Sequence, residues 1–279
     1  MAKNKKIMVK VKKELEANSL DELHNLVENG YKHLSINKEK GEECWFRGHA
    51  NNTWEIKPTL FRSRVNGVSI QNIEEIESDL FFEFQAKASE LHSMNLSAWE
   101  TLQYMRHHGV PTRLLDWSDS LLIALYFAVN DRVYKGEIDP CIWMLNPYKL
   151  NTFYEETGDI YDPDYLIEDD ELYESLAQAS GLPFNYPIAL YPRQRHTRMK
   201  AQKGWFTIWG KKQNAMEDIF GYSNRNCILV KIILKKQAVI EIRKILELYG
   251  ITESHIYPDC DALALELSMK HGFIKYPDY

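Results

Sequence analysis

A turn rich in charged side chains is followed directly by an apolar segment between residues 104 and 128. Gly109 accepts a positive φ, while Pro111 fixes its own φ and favours an extended conformation for Val110. Ser118 is a good N-cap residue, and apolar side chains recur after it at helical spacing. The pattern therefore predicts a rigid turn and then a helix that begins at Ser118 and ends near Val129.

Four polar residues surround this turn, namely His107, His108, Arg113 and Asp116. The positive end of the following helix and a neighbouring arginine would together attract an anion. Arg113 and Asp116 are three residues apart, so an ion pair that only holds the loop is an open alternative.

Composition sets limits on the class of protein. The chain has 279 residues, 44 % of them apolar, which indicates one large globular domain or two small ones. A net charge of −6 still allows a local basic cleft. The four cysteines form no Cys-x-x-Cys pair, as expected in a reducing compartment. With no leader pattern and no apolar run of about 18 residues, we expect a cytoplasmic protein without a membrane partner.

The remaining periodicities predict an α+β fold, with a mixed or antiparallel sheet as the core and helices on its flanks. Predicted strands cover Cys44–Arg47, Cys141–Leu145, Trp205–Trp209 and Cys227–Leu234. Predicted helices cover Ser19–Glu28, Ile73–Met94, Ser97–His107 and Glu241–Tyr249, and a final helix begins at Asp261. The helix from Ile73 has a run of acidic residues that includes Glu77, which we interpret as a solvated face.

Charge also divides the chain into segments. Residues 1–18 are basic and form either a tail or an edge strand, and residues 19–279 are expected to form a single domain. Within that domain, residues 149–192 are acidic and aromatic, which indicates an insertion with a short helix near Asp169–Gln178. An acidic insertion of this length is often a lid or a docking surface.

The sequence lacks the motifs of several common metal, hydrolase and nucleotide-binding sites. Adjacent His107 and His108 would point about 100° apart on a helix, which makes them poor shared metal ligands. The chain has neither a Gly-x-Ser-x-Gly elbow, nor a Walker loop, nor a dinucleotide glycine pattern. What remains is a segment, residues 49–62, with several side chains able to bind phosphate or ribose, and four dispersed arginines suited to phosphate: Arg47, Arg113, Arg195 and Arg198.

Five sequence blocks resemble one family. They are Trp45-Phe46-Arg47-Gly48, Gly-Val-Pro-Thr-Arg-Leu-Leu-Asp-Trp at residues 109–117, Ala-Leu-Tyr-Phe-Ala at residues 124–128, residues 198–206 and residues 250–261. In this order they are similar to the FRG-domain family of bacterial and phage-associated proteins, over roughly residues 40–265.

The resemblance extends more distantly to the NAD-binding cleft of ADP-ribosyltransferases, and it implies an ADP-ribosyltransferase-like fold. In that mapping Phe46, Arg47 and Gly48 form the first element. Residues 112–126 form the second, in which Thr112 and Arg113 contact NAD and Trp117 or Tyr126 lies against the nicotinamide. Arg198 binds NAD beside the third element, which is Gln202.

The third element departs from the family pattern, because a glutamate is usual at the position of Gln202. Cleavage of NAD passes through an oxocarbenium-like state that an anion stabilises. Asp116 or Glu217 would then supply that anion, or the enzyme would work by positioning alone. Alternatively, Arg47 and Arg113 are structural partners of Asp116 and Asp259, Tyr126 is a core residue, and Gln202 is a loop hydrogen-bonding residue.

The resemblance therefore implies a metal-independent ADP-ribosyltransferase of toxin or phage-defence type, with NAD as substrate and an antitoxin as partner. Its acceptor would be a macromolecule, either RNA or DNA or a protein; the basic stretch 193–212 with Trp205 and Trp209 suits a nucleic acid. A non-catalytic nucleotide- or nucleic-acid-sensing module is the first alternative. The second is a nuclease or phosphodiesterase that uses His107 or His108.

Overall fold

The computed structural model describes residues 12–62, 72–92, 96–130, 136–193, 197–223 and 226–273. Its strands are β1 Leu15–Ala17, β2 Trp45–His49, β3 Leu114–Ser118, β4 Cys141–Leu145, β5 Ile188–Leu190, β6 Gly204–Ile208 and β7 Leu229–Leu234. They form one seven-stranded sheet in the order β1-β7-β4-β2-β3-β6-β5. β1 runs parallel to β7, and every other neighbouring pair is antiparallel. The predicted α+β fold with a mixed sheet is confirmed.

Helices flank this sheet. They are α1 Leu20–Leu34, α2 Ile73–His92, α3 Ala98–His107, α4 Leu121–Val129, α5 Pro147–Asn151, α6 Pro163–Leu166, α7 Asp169–Ala177, α8 Thr197–Ala201, α9 Met216–Phe220, α10 Lys236–Leu248, α11 Glu253–Ile256 and α12 Cys260–Lys270. Short 3-10 helices cover Lys38–Lys40 and Thr59–Phe61. No helix within the described ranges is both long enough and apolar enough to cross a membrane.

Alternate residues of each strand enter different parts of the core, as the two-residue repeat of a strand requires. In β2, Phe46 joins the cluster that packs against α1, α4 and α10. Its neighbour Trp45 joins a second cluster with Trp117, Trp143 and Trp209. A third cluster packs α2, α3 and α7 against β5 and β6. The central strands are therefore buried on both faces.

The segment after the Gly109–Pro111 turn differs from the prediction. Ser118 is not a helix N-cap but the last residue of β3, whose five residues pair with β6. The helix begins only at Leu121. The turn signals were right, but Leu115 and Trp117 alternate with Asp116 in a strand that the longer helical pattern obscured. Asp116 consequently lies in a strand and not beside a helix N-terminus.

The first helix is longer than the predicted Ser19–Glu28. It runs through Gly30 to Leu34 and is capped by Ser35, which has φ 56°. A Cβ at Gly30 would lie 2.7 Å from the Met144 sulfur on β4. The glycine therefore lets α1 approach the sheet closely.

The basic segment 1–18 and the acidic segment 149–192 both contribute strands to the same sheet. Residues 15–17 of the basic segment form edge strand β1, while its valines Val9 and Val11 lie outside the described residues. The acidic stretch contributes α6, α7 and the opposite edge strand β5. Asp169 also accepts hydrogen bonds at 3.0 Å from the amides of Ala98 and Trp99 at the start of α3.

Candidate functional site

The sheet opens between β2 and β3. β2 pairs with β4 at all five of its residues, but it pairs with β3 at one position, Phe46 opposite Ser118. Past that position a side chain bridges the two strands, because Arg47 Nη1 donates a hydrogen bond of 2.6 Å to the backbone carbonyl of Asp116. The arginine of the Phe-Arg-Gly sequence is therefore held in a gap between strands.

Two further arginines face Arg47 at this gap, and we call Arg47, Arg62 and Arg106 the arginine cluster. Arg106 donates from Nε to Asp116 Oδ2 at 2.7 Å and from Nη1 to Thr59 Oγ1 at 3.2 Å. Arg62 donates from Nε to the Lys57 carbonyl at 2.9 Å. Residues from β2, β3, α3 and the 3-10 turn at Thr59 thus converge on one place.

Positive charge is in excess in the cluster, because Asp116 is the one carboxylate among the described residues that attracts all three guanidinium groups. Burial, together with repulsion from Arg106 and Arg62, lowers the pKa of Arg47 to about 9, although Asp116 opposes the shift. Partial burial and repulsion from Arg106 also lower the pKa of Arg62, the most exposed of the three. Such a concentration of positive charge favours binding of an anion.

Asp116 is ionised in this setting. Burial raises its pKa, but attraction and hydrogen bonds from Arg106 outweigh burial, so the pKa lies below its usual value. Its side chain keeps 43 % of its surface exposed, against 18 % for Arg106. The site is therefore open to solvent on the Asp116 side.

His49 fixes Arg47 from a second direction. Its Nε2 accepts a hydrogen bond of 3.1 Å from Arg47 Nε, and only 3 % of the residue is exposed. Burial and the charge of Arg47 hold the pKa of His49 well below its usual value, so the imidazole is neutral. A neutral imidazole that accepts at Nε2 carries its proton on Nδ1. Arg47 is thus oriented by His49 and by the Asp116 carbonyl together.

Arg113 lies in a different, buried environment. It donates from Nε to Glu77 Oε1 at 2.6 Å, from Nη2 to Glu77 Oε2, and from Nη1 to the Trp209 carbonyl at 3.0 Å. The adjoining recess, lined in part by Glu74 and Leu182, is too narrow to admit a water molecule. The pairing of Arg113 with Asp116 is therefore wrong.

Two other expectations about these carboxylates are also wrong. Glu77 is not on a solvated face, because only 2 % of it is exposed and it faces Arg113. Asp259 has no arginine partner among the described residues; its side chain accepts from the Ala262 amide and caps α12.

Arg198, Gln202 and Tyr126 make their contacts near α11. Arg198 donates to the His107 carbonyl at 3.3 Å, and its guanidinium lies 4.4 Å from the centre of the Tyr257 ring. Gln202 donates from Nε2 to the Ile256 carbonyl at 3.3 Å, and the Tyr126 hydroxyl donates to the Glu253 carboxylate. Arg195 lies outside the described residues. The predicted roles of these residues with NAD stay predictions.

The other motif residues pack β2, β3 and α4 together. Phe46 is 2 % exposed, and a Cβ at Gly48 would lie 1.9 Å from the Ala124 carbonyl oxygen of α4. Buried Thr112 accepts from the Leu114 amide, and Trp117 donates from Nε1 to Thr207 Oγ1 at 2.9 Å. These contacts give the motif a packing role, and direct contact of its residues with NAD stays a prediction.

Glu217 is a buried carboxyl group on α9. Only 8 % of the residue is exposed, and its two oxygens lie 3.2 Å and 3.1 Å from the Ile56 amide nitrogen that donates to them. Burial raises the pKa of Glu217 to about 7. Near neutral pH about half of this group is therefore protonated, which makes it a weaker source of negative charge than Asp116.

Arg62, Arg106, Thr59 and His49 are site residues that the sequence did not single out. His49 and Arg62 are the first and last residues of segment 49–62, which was predicted to contain side chains able to bind phosphate, so its composition was a usable signal. Arg106 lies ten residues before Asp116, across the Gly109–Pro111 turn, and no local spacing rule links the two. Among the described residues, no three His, Cys, Asp or Glu side chains come together as metal ligands.

The site and its supporting strands fall within one recognised region. Residues 42–136 match the family model of the FRG domain. This range extends from β2 through α4, and it contains Arg47, Arg62, Arg106 and Asp116. The chain thus has an α+β fold, and about a third of its length is similar to the FRG domain. Comparison with curated proteins finds no match, and comparison with solved structures finds none either.

Proposed function

We propose that the protein is an NAD-dependent ADP-ribosyltransferase of toxin or phage-defence type that acts on a macromolecular acceptor. The observation that supports it best is the convergence of the arginine cluster on the β2–β3 gap, next to the Phe-Arg-Gly motif. NAD carries a diphosphate with two negative charges, and guanidinium groups bind such oxygens in bidentate geometry. Arg47 would anchor the diphosphate there.

The proposed reaction breaks the bond between the ribose C1′ and the nicotinamide nitrogen. Nicotinamide leaves with the bonding electron pair, a nucleophile of the acceptor forms the new bond to C1′, and the proton of that nucleophile passes to solvent. Asp116, ionised and partly exposed, would stabilise the positive charge that develops on the ribose. Gln202 would orient the ribose or the acceptor once its side-chain hydrogen bond to the Ile256 carbonyl is exchanged.

The acceptor side of the proposal covers RNA, DNA and protein. Two cations of the basic stretch have carboxylate partners: Arg193 lies 2.6 Å from Asp164 and 3.4 Å from Asp169, and Lys203 lies 4.0 Å from Asp119. Lys211 and Lys212 are exposed and would be the first contacts for a phosphate backbone. An antitoxin would have to cover the same surface or the β2–β3 gap.

A nucleotide-sensing module without turnover is the second candidate. It is favoured by the internal contacts of three residues that were expected to bind NAD. Arg113 is paired with Glu77, Trp117 donates to Thr207, and Tyr126 donates to Glu253. Phosphate binding by the arginine cluster requires none of these residues.

The test is release of nicotinamide from labelled NAD by the full chain. Arg47→Lys keeps the charge but loses the planar fork and the bridge to Asp116, so we expect about 10- to 100-fold slower release. Gln202→Ala should slow release without weakening NAD binding. Arg243→Lys is the matched control, because Arg243 also donates to a backbone carbonyl, that of Val129, outside the gap.

Different outcomes separate the two candidates. Saturable NAD binding that depends on Arg47, with no nicotinamide released in the presence of candidate acceptors, supports the sensing module. Equal rates for Arg47→Lys and the wild type would contradict the enzyme assignment to this gap.

A further inference from the structure

We infer that the arginine cluster is a built site for a diphosphate dianion, in which Arg62 is the arm that closes on the ligand from the solvent side. The choice of ligand rests on the proposed function, since NAD contains such a group. The site itself is argued from the contacts and charges of the cluster.

The guanidinium of Arg62 is held through Nε, and its Nη1 and Nη2 groups are available to a ligand. Nε donates to the Lys57 carbonyl at 2.9 Å, and the residue is exposed. Within the part of the chain that the structure describes, neither Nη1 nor Nη2 of Arg62 has a protein acceptor. Two parallel N–H groups of this kind match two oxygens of one phosphate.

The turn that carries Arg62 is anchored to the rest of the site. Leu60 and Phe61 precede Arg62 in the 3-10 turn and are buried. Thr59, in the same turn, accepts from Arg106 at 3.2 Å. The positions of Arg62 and Arg106 are thus set by one short segment, which lowers the cost of ordering the site when a ligand binds.

Charge balance indicates the class of ligand. The three guanidinium groups exceed the one carboxylate of Asp116 by two positive charges, and Arg62 is repelled by Arg106. Glu55 attracts Arg62 as well, but Glu55 lies 3.9 Å from Lys57, whose charge offsets it. The diphosphate of NAD carries one negative charge on each of its two phosphate groups. One phosphate would pair with Arg47 on β2 and the other with Arg62 on the turn. A single carboxylate would leave the cluster positive.

The experiment measures the thermal unfolding midpoint of the full chain with inorganic pyrophosphate, against sodium chloride of equal ionic strength. We expect pyrophosphate to raise the midpoint by about 3 °C or more at saturating concentration, because it binds the folded state and relieves the repulsion. ADP-ribose should act in the same way. Nicotinamide riboside, which has no phosphate, should produce no shift.

The Arg62→Gln variant separates a binding role from a structural one. Without ligand its midpoint should equal or exceed that of the wild type, because one repelling charge is gone, and the shift with pyrophosphate should be lost. Arg243→Gln, the matched control, should keep the full shift. If Arg62→Gln does not fold, Arg62→Lys should fold and bind pyrophosphate about tenfold more weakly.

The inference is overturned if Arg62→Gln or Arg62→Lys retains the wild-type pyrophosphate shift, or if sodium chloride reproduces that shift. Failure of the proposed function has a different signature. Pyrophosphate binding that requires Arg62, without any release of nicotinamide from NAD, would support the diphosphate site and contradict the proposed enzyme activity. Nicotinamide release that neither pyrophosphate nor Arg62→Gln affects would support the enzyme activity and contradict the diphosphate site.

Discussion

Arg113→Ala should lower the free energy of unfolding by about 3–5 kcal/mol, because it leaves the Glu77 carboxylate buried without its partner. The side chains of Arg113 and Glu77 are 3 % and 2 % exposed, so solvent cannot replace the missing contact. The variant also loses the hydrogen bond from Arg113 to the Trp209 carbonyl. Urea unfolding of the wild type and the variant at pH 7 measures the difference.

The matched variants are Glu77→Ala and the double variant Arg113→Met with Glu77→Met. Glu77→Ala should be as harmful as Arg113→Ala, since it leaves a buried guanidinium unpaired. The double variant removes both charges and fills the space with apolar atoms, so it should recover most of the lost stability. A loss below about 1 kcal/mol in both single variants would contradict the buried pair.

The same variants also bear on function. The sequence motif predicted Arg113 as an NAD-binding residue, whereas its three described hydrogen bonds all lie within the protein. If its role is structural, the folded double variant should keep the pyrophosphate shift of the arginine cluster. Loss of that shift in a stable double variant would instead support a role for Arg113 in binding.

Local sequence patterns predicted most elements because their causes are local. Ser97 and Glu100 form a capping box at the start of α3, and Cys141–Leu145 is an apolar run that forms β4. β5 was not predicted, since three residues offer too short a pattern. β3 was assigned to a loop and a helix start because the longer helical pattern that follows it obscured its short alternation.

The candidate site was only partly predictable for the opposite reason, since its contacts are distant in sequence. Glu77 lies among Glu74, Glu75 and Asp79, and no local feature distinguishes the one that is buried. Its partner Arg113 is 36 residues away along the chain. Arg47 and Asp116 were predicted as site residues from the motif. The hydrogen bond from Arg47 to the Asp116 carbonyl, and the positions of Arg62 and Arg106 beside it, depend on the gap between β2 and β3. Local sequence does not predict that gap.

Glu217 should make the protein lose stability as the pH rises from about 4.5 to about 7. Its pKa is 4.5 in the unfolded chain and about 7 in the folded protein, because burial disfavours the charged form. Below pH 4.5 both states are protonated and the group has no effect on stability. Between the two values the unfolded chain ionises first, so the folded state binds more protons and loses stability with rising pH.

The Glu217→Gln variant measures this contribution directly. Glutamine keeps an oxygen that can accept a hydrogen bond from the Ile56 amide, but its side chain cannot ionise. The variant should therefore not lose this part of its stability as the pH rises. The difference in unfolding free energy, variant minus wild type, should therefore grow by about 3 kcal/mol between pH 4.5 and pH 8. Glu247→Gln, an exposed residue of α10, controls for the removal of one carboxylate from the total charge. Parallel curves for wild type and Glu217→Gln would contradict the raised pKa. They would also restore Glu217, ionised at neutral pH, as a rival to Asp116 for the anion that the proposed reaction requires.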